Sequence, residues 1–116
     1  MAEPIEVFER HLAAFNRHDL EAFLASYADD VSINGLPVGS VEGIAAVRSL
    51  YSERFEDRTL RCEVREAVEL GGRWVVAHEV IHSSAGVVEF AGIFEIADGL
   101  IRRADMSARY PLDDDR

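Results

Sequence analysis

The sequence predicts an α+β domain, and three observations carry that prediction. Apolar residues in the first half recur at three- and four-residue steps, from residue 58 onward they alternate with polar ones, and glycine-bearing turns divide the alternating part into four strands. Helices followed by an antiparallel meander segregate into two layers, with the helices on one face of the sheet. Neither a repeat nor a linker interrupts the chain, so residues 1–116 read as one domain.

Ile5, Phe8, Leu12 and Phe15 mark the buried face of a first helix, and His11 lies on that same face. Asp19 is placed to cap a second helix with the stripe Leu20, Phe23, Leu24 and Tyr27, ended by Asp29 and Asp30. Val31 and Ile33 alternate as a short strand, and Gly35, Pro37 and Gly39 mark a loop. Ser40 is the expected cap of a third helix carrying Ile44, Val47, Leu50, Tyr51 and Phe55. Leu60, Cys62 and Val64 then alternate with Arg61, Glu63 and Arg65 in a strand turned by Gly71-Gly72. Strands over 74–83, 87–96 and 100–110 follow, separated by Ser84-Ala85-Gly86 and Ala97-Asp98-Gly99.

All twelve basic residues are arginine, and the absence of lysine excludes Schiff-base and pyridoxal-phosphate chemistry and a Walker-type phosphate loop. Twenty-two acidic residues give a net charge of −10, which argues against nucleic acid as a partner. A chain of this size buries about two thirds of its unfolded surface, enough for a core without disulfides or metals. The lone Cys62 has no intrachain partner, the start MAEPIEVF lacks the charge and apolar run of a signal peptide, and no apolar stretch reaches membrane-spanning length. The expectation is a soluble cytoplasmic protein with no membrane partner. Asp113, Asp114 and Asp115 read as a solvated acidic tail.

Strand 74–83 presents Trp74, Val76, His78, Val80 and His82 on one face and Val75, Ala77, Glu79, Ile81 and Ser83 on the other. Both faces are largely apolar, whereas a solvated face would be polar. Strand 87–96 repeats this, with Phe90, Phe94 and Ile96 on one face and Ala91 and Ile93 on the other. Three helices cover one side of a sheet, so either a second copy packs on the other side or the sheet curls to shield itself.

His78-Glu79-Val80-Ile81-His82 matches the zinc protease pattern H-E-x-x-H, but its context is wrong. On a helix the two histidines would lie about 6 Å apart along the axis and share one ion. On a strand they lie about 13 Å apart, with the glutamate on the opposite face. No metal site and no cofactor are expected.

The string from Phe15 through Asn16, His18, Asp19 and Tyr27 to Val31, together with Asp98-Gly99-Leu100-Ile101, resembles the SnoaL-like branch of the nuclear transport factor 2 superfamily. That group includes ketosteroid isomerases, limonene epoxide hydrolases and polyketide cyclases. The resemblance covers essentially the whole chain and implies a cone, in which a curved antiparallel sheet wraps around three N-terminal helices (NTF2-like or cystatin-like). It also implies a deep apolar pocket and a dimer through the outer sheet face.

Carried over by resemblance, the ketosteroid isomerase site is incomplete. His11 stands where the oxyanion tyrosine of that family stands, the general base falls at Gly35 or Leu36, and the second donor falls near Gly92, so both aspartates are missing. Tyr27 and Tyr51 match tyrosines that support the family's hydrogen-bond network. The epoxide hydrolase pattern of acid, arginine and acid would draw on Arg103, Asp105 and Arg109, yet the resemblance turns Ala104, Met106 and Ala108 to the pocket and Asp105 to the outer face or rim. Asp105 stays a weak alternative as the acid that cyclases carry near this strand.

The same resemblance turns His78 and His82 into the cone with Val80, Phe90, Phe94 and Met106, with His11 facing them from the first helix. Histidines in an apolar cavity can exchange protons near neutral pH, and each can equally be a structural histidine satisfied by one hydrogen bond. Tyr27, Tyr51, Phe55 and Trp74 complete the expected wall. Val75, Ala77, Glu79, Ile81, Ala91 and Ile93 are the expected homodimer surface, with Glu79 in an interface ion pair. Cys62 reads as a small buried hydrophobe.

The function these residues suggest is binding of a small, mostly apolar, carbonyl-bearing metabolite, with His78 and His11 moving protons in isomerisation, cyclisation or dehydration. The alternatives are a ligand carrier or sensor without turnover, a protein-interaction module whose cone is filled by its own side chains, and an epoxide hydrolase-like enzyme.

Overall fold

Helix α1, Pro4–Arg17, begins with proline in its first turn, where a missing N–H costs nothing, and the Glu6 side chain accepts from the Glu3 amide at 3.1 Å. It ends where His18 takes a left-handed conformation and returns its amide to the carbonyls of Ala14 and Phe15. The computed structural model describes the backbone of residues 2–112 and the side chains of residues 2–106, so the Asp113–Asp115 tail lies outside the described residues.

Helix α2, Leu20–Leu24, is capped by Asp19 as expected, its side chain accepting from the Ala22 amide at 3.1 Å. It stops before Tyr27. The Ser26 carbonyl instead accepts from the Ile101 amide at 2.8 Å, and Tyr27 opens a strand. Long-range pairing here overrides a local pattern that would continue the helix.

Strand β1, Tyr27–Leu36, and strand β2, Gly39–Glu42, form a hairpin across the expected Gly35–Gly39 loop. Ser40 belongs to β2 and donates to Asn34 Oδ1 at 2.7 Å; it does not cap the third helix. That helix, α3, Ile44–Arg54, starts from Gly43, whose φ of 85° requires glycine and whose amide donates to the Val31 carbonyl at 2.7 Å.

The remaining strands are β3 (Arg61–Leu70), β4 (Trp74–Ser83), β5 (Gly86–Ala97) and β6 (Leu100–Leu112). One six-stranded sheet has the order β2-β1-β6-β5-β4-β3, antiparallel throughout except for the parallel pair of β1 and β6. The sheet curves around the helices without closing, which is the expected α+β cone. Among the described residues no helix is long and apolar enough to cross a membrane.

The β4–β5 register decides which residues face the helices. Ser83 pairs with Gly86 across the two-residue turn Ser84-Ala85, so Glu79 stands opposite Phe90 and Val75 opposite Phe94. Opposed residues share a face. Val75, Ala77, Glu79 and Ile81 therefore look inward with Phe90 and Phe94, while Trp74, Val76, His78, Val80 and His82 look outward. This inverts the expected facing of β4 and keeps that of β5, where Ile93 is outward and 46% exposed.

Phe8 and Phe94 pack at 5.1 Å between ring centroids, and Phe23 and Tyr51 at 4.6 Å. Phe15 and Phe55 close the same cluster at 5.6 Å. These interleaved rings fill most of the space between helices and sheet.

Candidate active site

Two adjacent cavities that share three wall residues lie between the helices and the inner sheet face. The inner one is a pit of about 30 Å³, room for a single water or a small group, lined by His11, Phe23, Tyr51, Cys62, Glu79 and Met106 among others. The outer one is a solvent-facing mouth of about 410 Å³, with walls that include Leu36, Pro37, Leu50, Ile81 and Val88. Leu36, Arg54 and Ile81 line both, so they form the neck between them.

Glu79 is the inward carboxylate of β4 and is only 4% exposed. Cys62, on neighbouring β3, donates its S–H to Glu79 Oε1 at 3.1 Å. The other oxygen, Oε2, lies over Gly92 of β5, where a Cβ would stand 2.8 Å from it and 2.9 Å from the Phe94 ring. A side chain at position 92 would therefore displace the carboxylate. Burial first, and the Glu79 charge second, push the Cys62 thiol above its ordinary range, so this cysteine is a hydrogen-bond donor and not a thiolate nucleophile.

His11 comes from the buried face of α1, with ring centroids 4.9 Å from Phe23 and 5.4 Å from Tyr27. Desolvation lowers its pKa to about 4, so at neutral pH the ring is uncharged. Its Nδ1 lies 3.5 Å from Ser26 Oγ, and that hydroxyl spends its hydrogen on the Phe23 carbonyl at 2.7 Å. A hydrogen bond at that contact needs the proton on Nδ1, which assigns the acceptor lone pair to Nε2.

Tyr27 is buried beside His11, and its hydroxyl has no hydrogen-bond partner among the described residues. Burial, reinforced by Tyr51 and Glu79, raises its pKa well above the ordinary value. At the neck, the Arg54 guanidinium sits over the Tyr51 ring at 5.2 Å, and its Nη1 donates to Tyr51 Oη at 3.5 Å. Above it Asp57 ties two rims of the mouth together. One oxygen accepts from the Thr59 amide and hydroxyl at 3.0 and 2.7 Å, and the other from the Ser84 amide and hydroxyl, both at 2.9 Å. These four donors hold its carboxyl well below the usual range.

Of the sequence-predicted site residues, His11, Tyr51, Phe90 and Met106 line the pit. Tyr27, Phe55 and Phe94 are core residues around it. His78, His82, Val80 and Trp74 lie on the opposite side of the sheet, because β4 is turned the other way. There His78 Nε2 is 2.6 Å from Glu89 Oε2, and His82 Nε2 is 3.5 Å from Glu63 Oε1. The Glu89 carboxylate thus holds His78, whereas His82 Nε2 makes no hydrogen bond among the described residues, and no metal-binding cluster occurs among them. Asp105 is an outward residue in register with Asn34 and Ile93, and Arg103 is outward and bound to Glu95 at 2.8 Å. The Arg109 side chain lies outside the described residues.

Of the expected dimer residues, Val75, Ala77, Glu79 and Ile81 face the helices, and Ala91 and Ile93 face outward. Glu79 is therefore a residue of the pit. Sequence reasoning missed it and Arg54 as site residues. The signal available for Glu79 was the turn itself, since a two-residue loop at Ser84-Ala85 sets it opposite Phe90.

The family model described as the SnoaL-like domain matches residues 8–104. Among curated proteins none matches the chain. Among solved structures, an uncharacterised cystatin-fold protein from Novosphingobium aromaticivorans is 17% identical with a TM-score of 0.80, covering 91% of this chain and 98% of its own. A computationally designed 17-OHP binder is 22% identical with a TM-score of 0.77, covering 91% of each chain. A candidate ketosteroid isomerase from Kribbella flavida is 18% identical with a TM-score of 0.75, covering 87% of this chain and 73% of its own. At these identities the likeness shows a shared fold, the one the sequence resemblance implies.

Proposed function

The chain belongs to the SnoaL-like domain family, and on that footing we propose that it binds a small, largely apolar, carbonyl-bearing metabolite in the mouth and moves a proton on the part that enters the pit. The observation that carries this reading is a buried carboxylate, Glu79, set by Cys62 and Gly92 at the end of a cavity whose neck carries the donors Arg54 and Tyr51. A base at one end and N–H or O–H donors at the other suit removal of a proton from carbon next to a carbonyl. Glu79 takes the proton, and the enolate oxygen is held by the Tyr51 hydroxyl on the wall of the pit. Returning the proton to another carbon gives isomerisation, attack of the enolate carbon on an internal carbonyl gives cyclisation, and expulsion of a β-hydroxyl with a returned proton gives dehydration. Neutral His11 is positioned as an acceptor and takes over the proton role first expected of His78.

The test is deuterium exchange. Ketones of graded size are incubated with the protein in heavy water, and α-carbon exchange is followed by NMR. The expected result is exchange that falls by about 100-fold or more in Glu79→Gln, a loss typical of a missing general base, while the variant stays folded and still binds. Exchange unchanged in Glu79→Gln would sink the assignment of the base. Binding without exchange in the wild type would select the carrier or sensor reading.

The filled-cone reading is favoured by one observation, the pit of only about 30 Å³. In the reading preferred here the ligand body stays in the mouth and only a small group enters the pit. The hydrolase alternative loses support because Arg103 and Asp105 face outward, away from the pit.

A homodimer through the outer sheet face belongs to the same proposal. It is supported by Val68, Leu70 and Ile93, each between 46% and 49% exposed, on the face that also carries Trp74 and Val76. A cytoplasmic location is likewise proposed, supported by the unpaired Cys62.

A further inference from the structure

The geometry points to Arg54 as the anchor for a carboxylate group on the ligand, so that the ligand class is a small acid with an apolar hydrocarbon or aryl body. The inference rests on the reading that mouth and pit form one ligand site, and it adds the chemical class of what enters.

Of the three residues shared by the two cavities, Leu36 and Ile81 are apolar and Arg54 alone is charged. A guanidinium offers five N–H donors, and among the described residues the one hydrogen bond Arg54 makes is the 3.5 Å contact with Tyr51 Oη. Other arginines are committed to acids: Arg48 to Glu21, and both Arg73 and Arg103 to Glu95. Arg54 has no carboxylate within ion-pair distance among the described residues, although three acids, Glu53, Glu56 and Asp57, are close in sequence. Glu53, on the wall of the mouth, and Glu56 are both exposed and make no ion pair with Arg54, and Asp57 has both oxygens occupied by Thr59 and Ser84.

The cation–ring contact with Tyr51 and the hydrogen bond to its hydroxyl keep the guanidinium at the neck, and its remaining N–H donors suit a two-pronged grip on a carboxylate. Partial burial at the neck reduces the screening that weakens exposed pairs. Glu79 repels a second anion from the pit, so the acid group stops at the neck beside Arg54, and the apolar body lies against Leu36, Pro37, Leu50 and Val88 in the mouth.

Calorimetric titration of the full chain with octanoate and with octanamide at about pH 7, where a carboxylic acid is ionised, tests the inference. Wild type is expected to bind octanoate at least about tenfold more tightly than octanamide. Arg54→Gln should abolish that preference, the loss falling mainly on octanoate, and Arg54→Lys should retain only part of it. A preference that survives in Arg54→Gln, or equal binding of the two ligands by wild type, would overturn the role of Arg54 and leave the ligand site standing. If wild type binds neither these nor the longer decanoate pair, the ligand-site reading falls and this inference with it. The comparison of acid and amide in wild type needs no variant, so a poorly folded Arg54→Gln would still leave it decisive.

Discussion

His11 stays neutral because the core around it offers no solvent to an imidazolium, and that has a measurable consequence. Its pKa falls from 6.5 to about 4 on folding. Below pH 6.5 the unfolded chain binds a proton that the folded chain refuses, so stability is complete above 6.5 and is lost as pH falls toward 4. The loss approaches about 3 kcal/mol at full effect. Urea unfolding at pH 7 and pH 4 should show it, and the pH dependence should shrink in His11→Leu. Gly92 is the second residue whose role is local and testable. Gly92→Ala forces Glu79 and Phe94 aside and should cost about 1–3 kcal/mol. Part of that cost should vanish in a Glu79→Ala background, which a double-mutant cycle would reveal. A Gly92→Ala protein as stable as wild type would contradict the close approach seen here.

At the scale of elements, the segment from Phe15 to Asp19 shows why a short string could carry so much information. Phe15 packs in the aromatic cluster, His18 ends α1 in a left-handed turn and bonds the Leu60 carbonyl at 2.7 Å, and Asp19 caps α2. Asn16 acts like a piece of strand. Its side chain accepts from the Cys62 amide at 2.8 Å and donates to the Cys62 carbonyl at 3.0 Å, fastening the end of α1 to the start of β3. Asn16→Ala leaves both backbone groups without these bonds and should cost about 1–3 kcal/mol in chemical denaturation, without changing the fold. The helices α1 and α3 were legible from their apolar period, and β4 to its exact ends from alternation. The length of α2 and the parallel β1–β6 pair were not, because each depends on hydrogen bonds to a segment distant in sequence, and the β1–β2 hairpin was not because four residues, Gly39–Glu42, are too short to show an alternation.

Turn chemistry explains the largest discrepancy. Counting Ser84-Ala85-Gly86 as a three-residue turn puts Val80 opposite Phe90, whereas the observed two-residue turn puts Glu79 there. A shift of one residue in register moves every side chain of a strand to the other face. The observed register turns His78 and His82, which the resemblance places in the cone, to the outer face and brings Glu79 inside. The β5–β6 turn has the same two-residue form, with Asp98 and Gly99 at φ of 56° and 77°, the backbone that an Asp-Gly pair adopts readily.

Over the whole molecule the sheet divides two kinds of surface. Its inner face holds the pit, and its outer face carries exposed Val68, Leu70 and Ile93 beside the pairs His78–Glu89 and His82–Glu63. If two copies associate through that face, Ile93→Arg should convert a dimer into a monomer, read by light scattering coupled to gel filtration, with the thermal unfolding of each chain still cooperative. A wild-type protein that is already monomeric at tens of micromolar would sink the dimer.

Composition and periodicity by themselves determined the α+β class, helices α1 and α3, the strands β3 to β6, and the exclusion of amine chemistry by a chain without lysine. The family resemblance, not periodicity, marked His11, Tyr51, Phe90 and Met106 as residues of the cone, and all four line the pit. Only the tertiary structure decided which face of β4 looks inward, and therefore that Glu79 is the buried acid and Arg54 the charged residue at the neck. The physical reason is that alternation defines two faces of a strand without saying which is inside. That choice is made by register with the neighbouring strand and by the burial of one face against the helices, neither of which is a local property of the sequence.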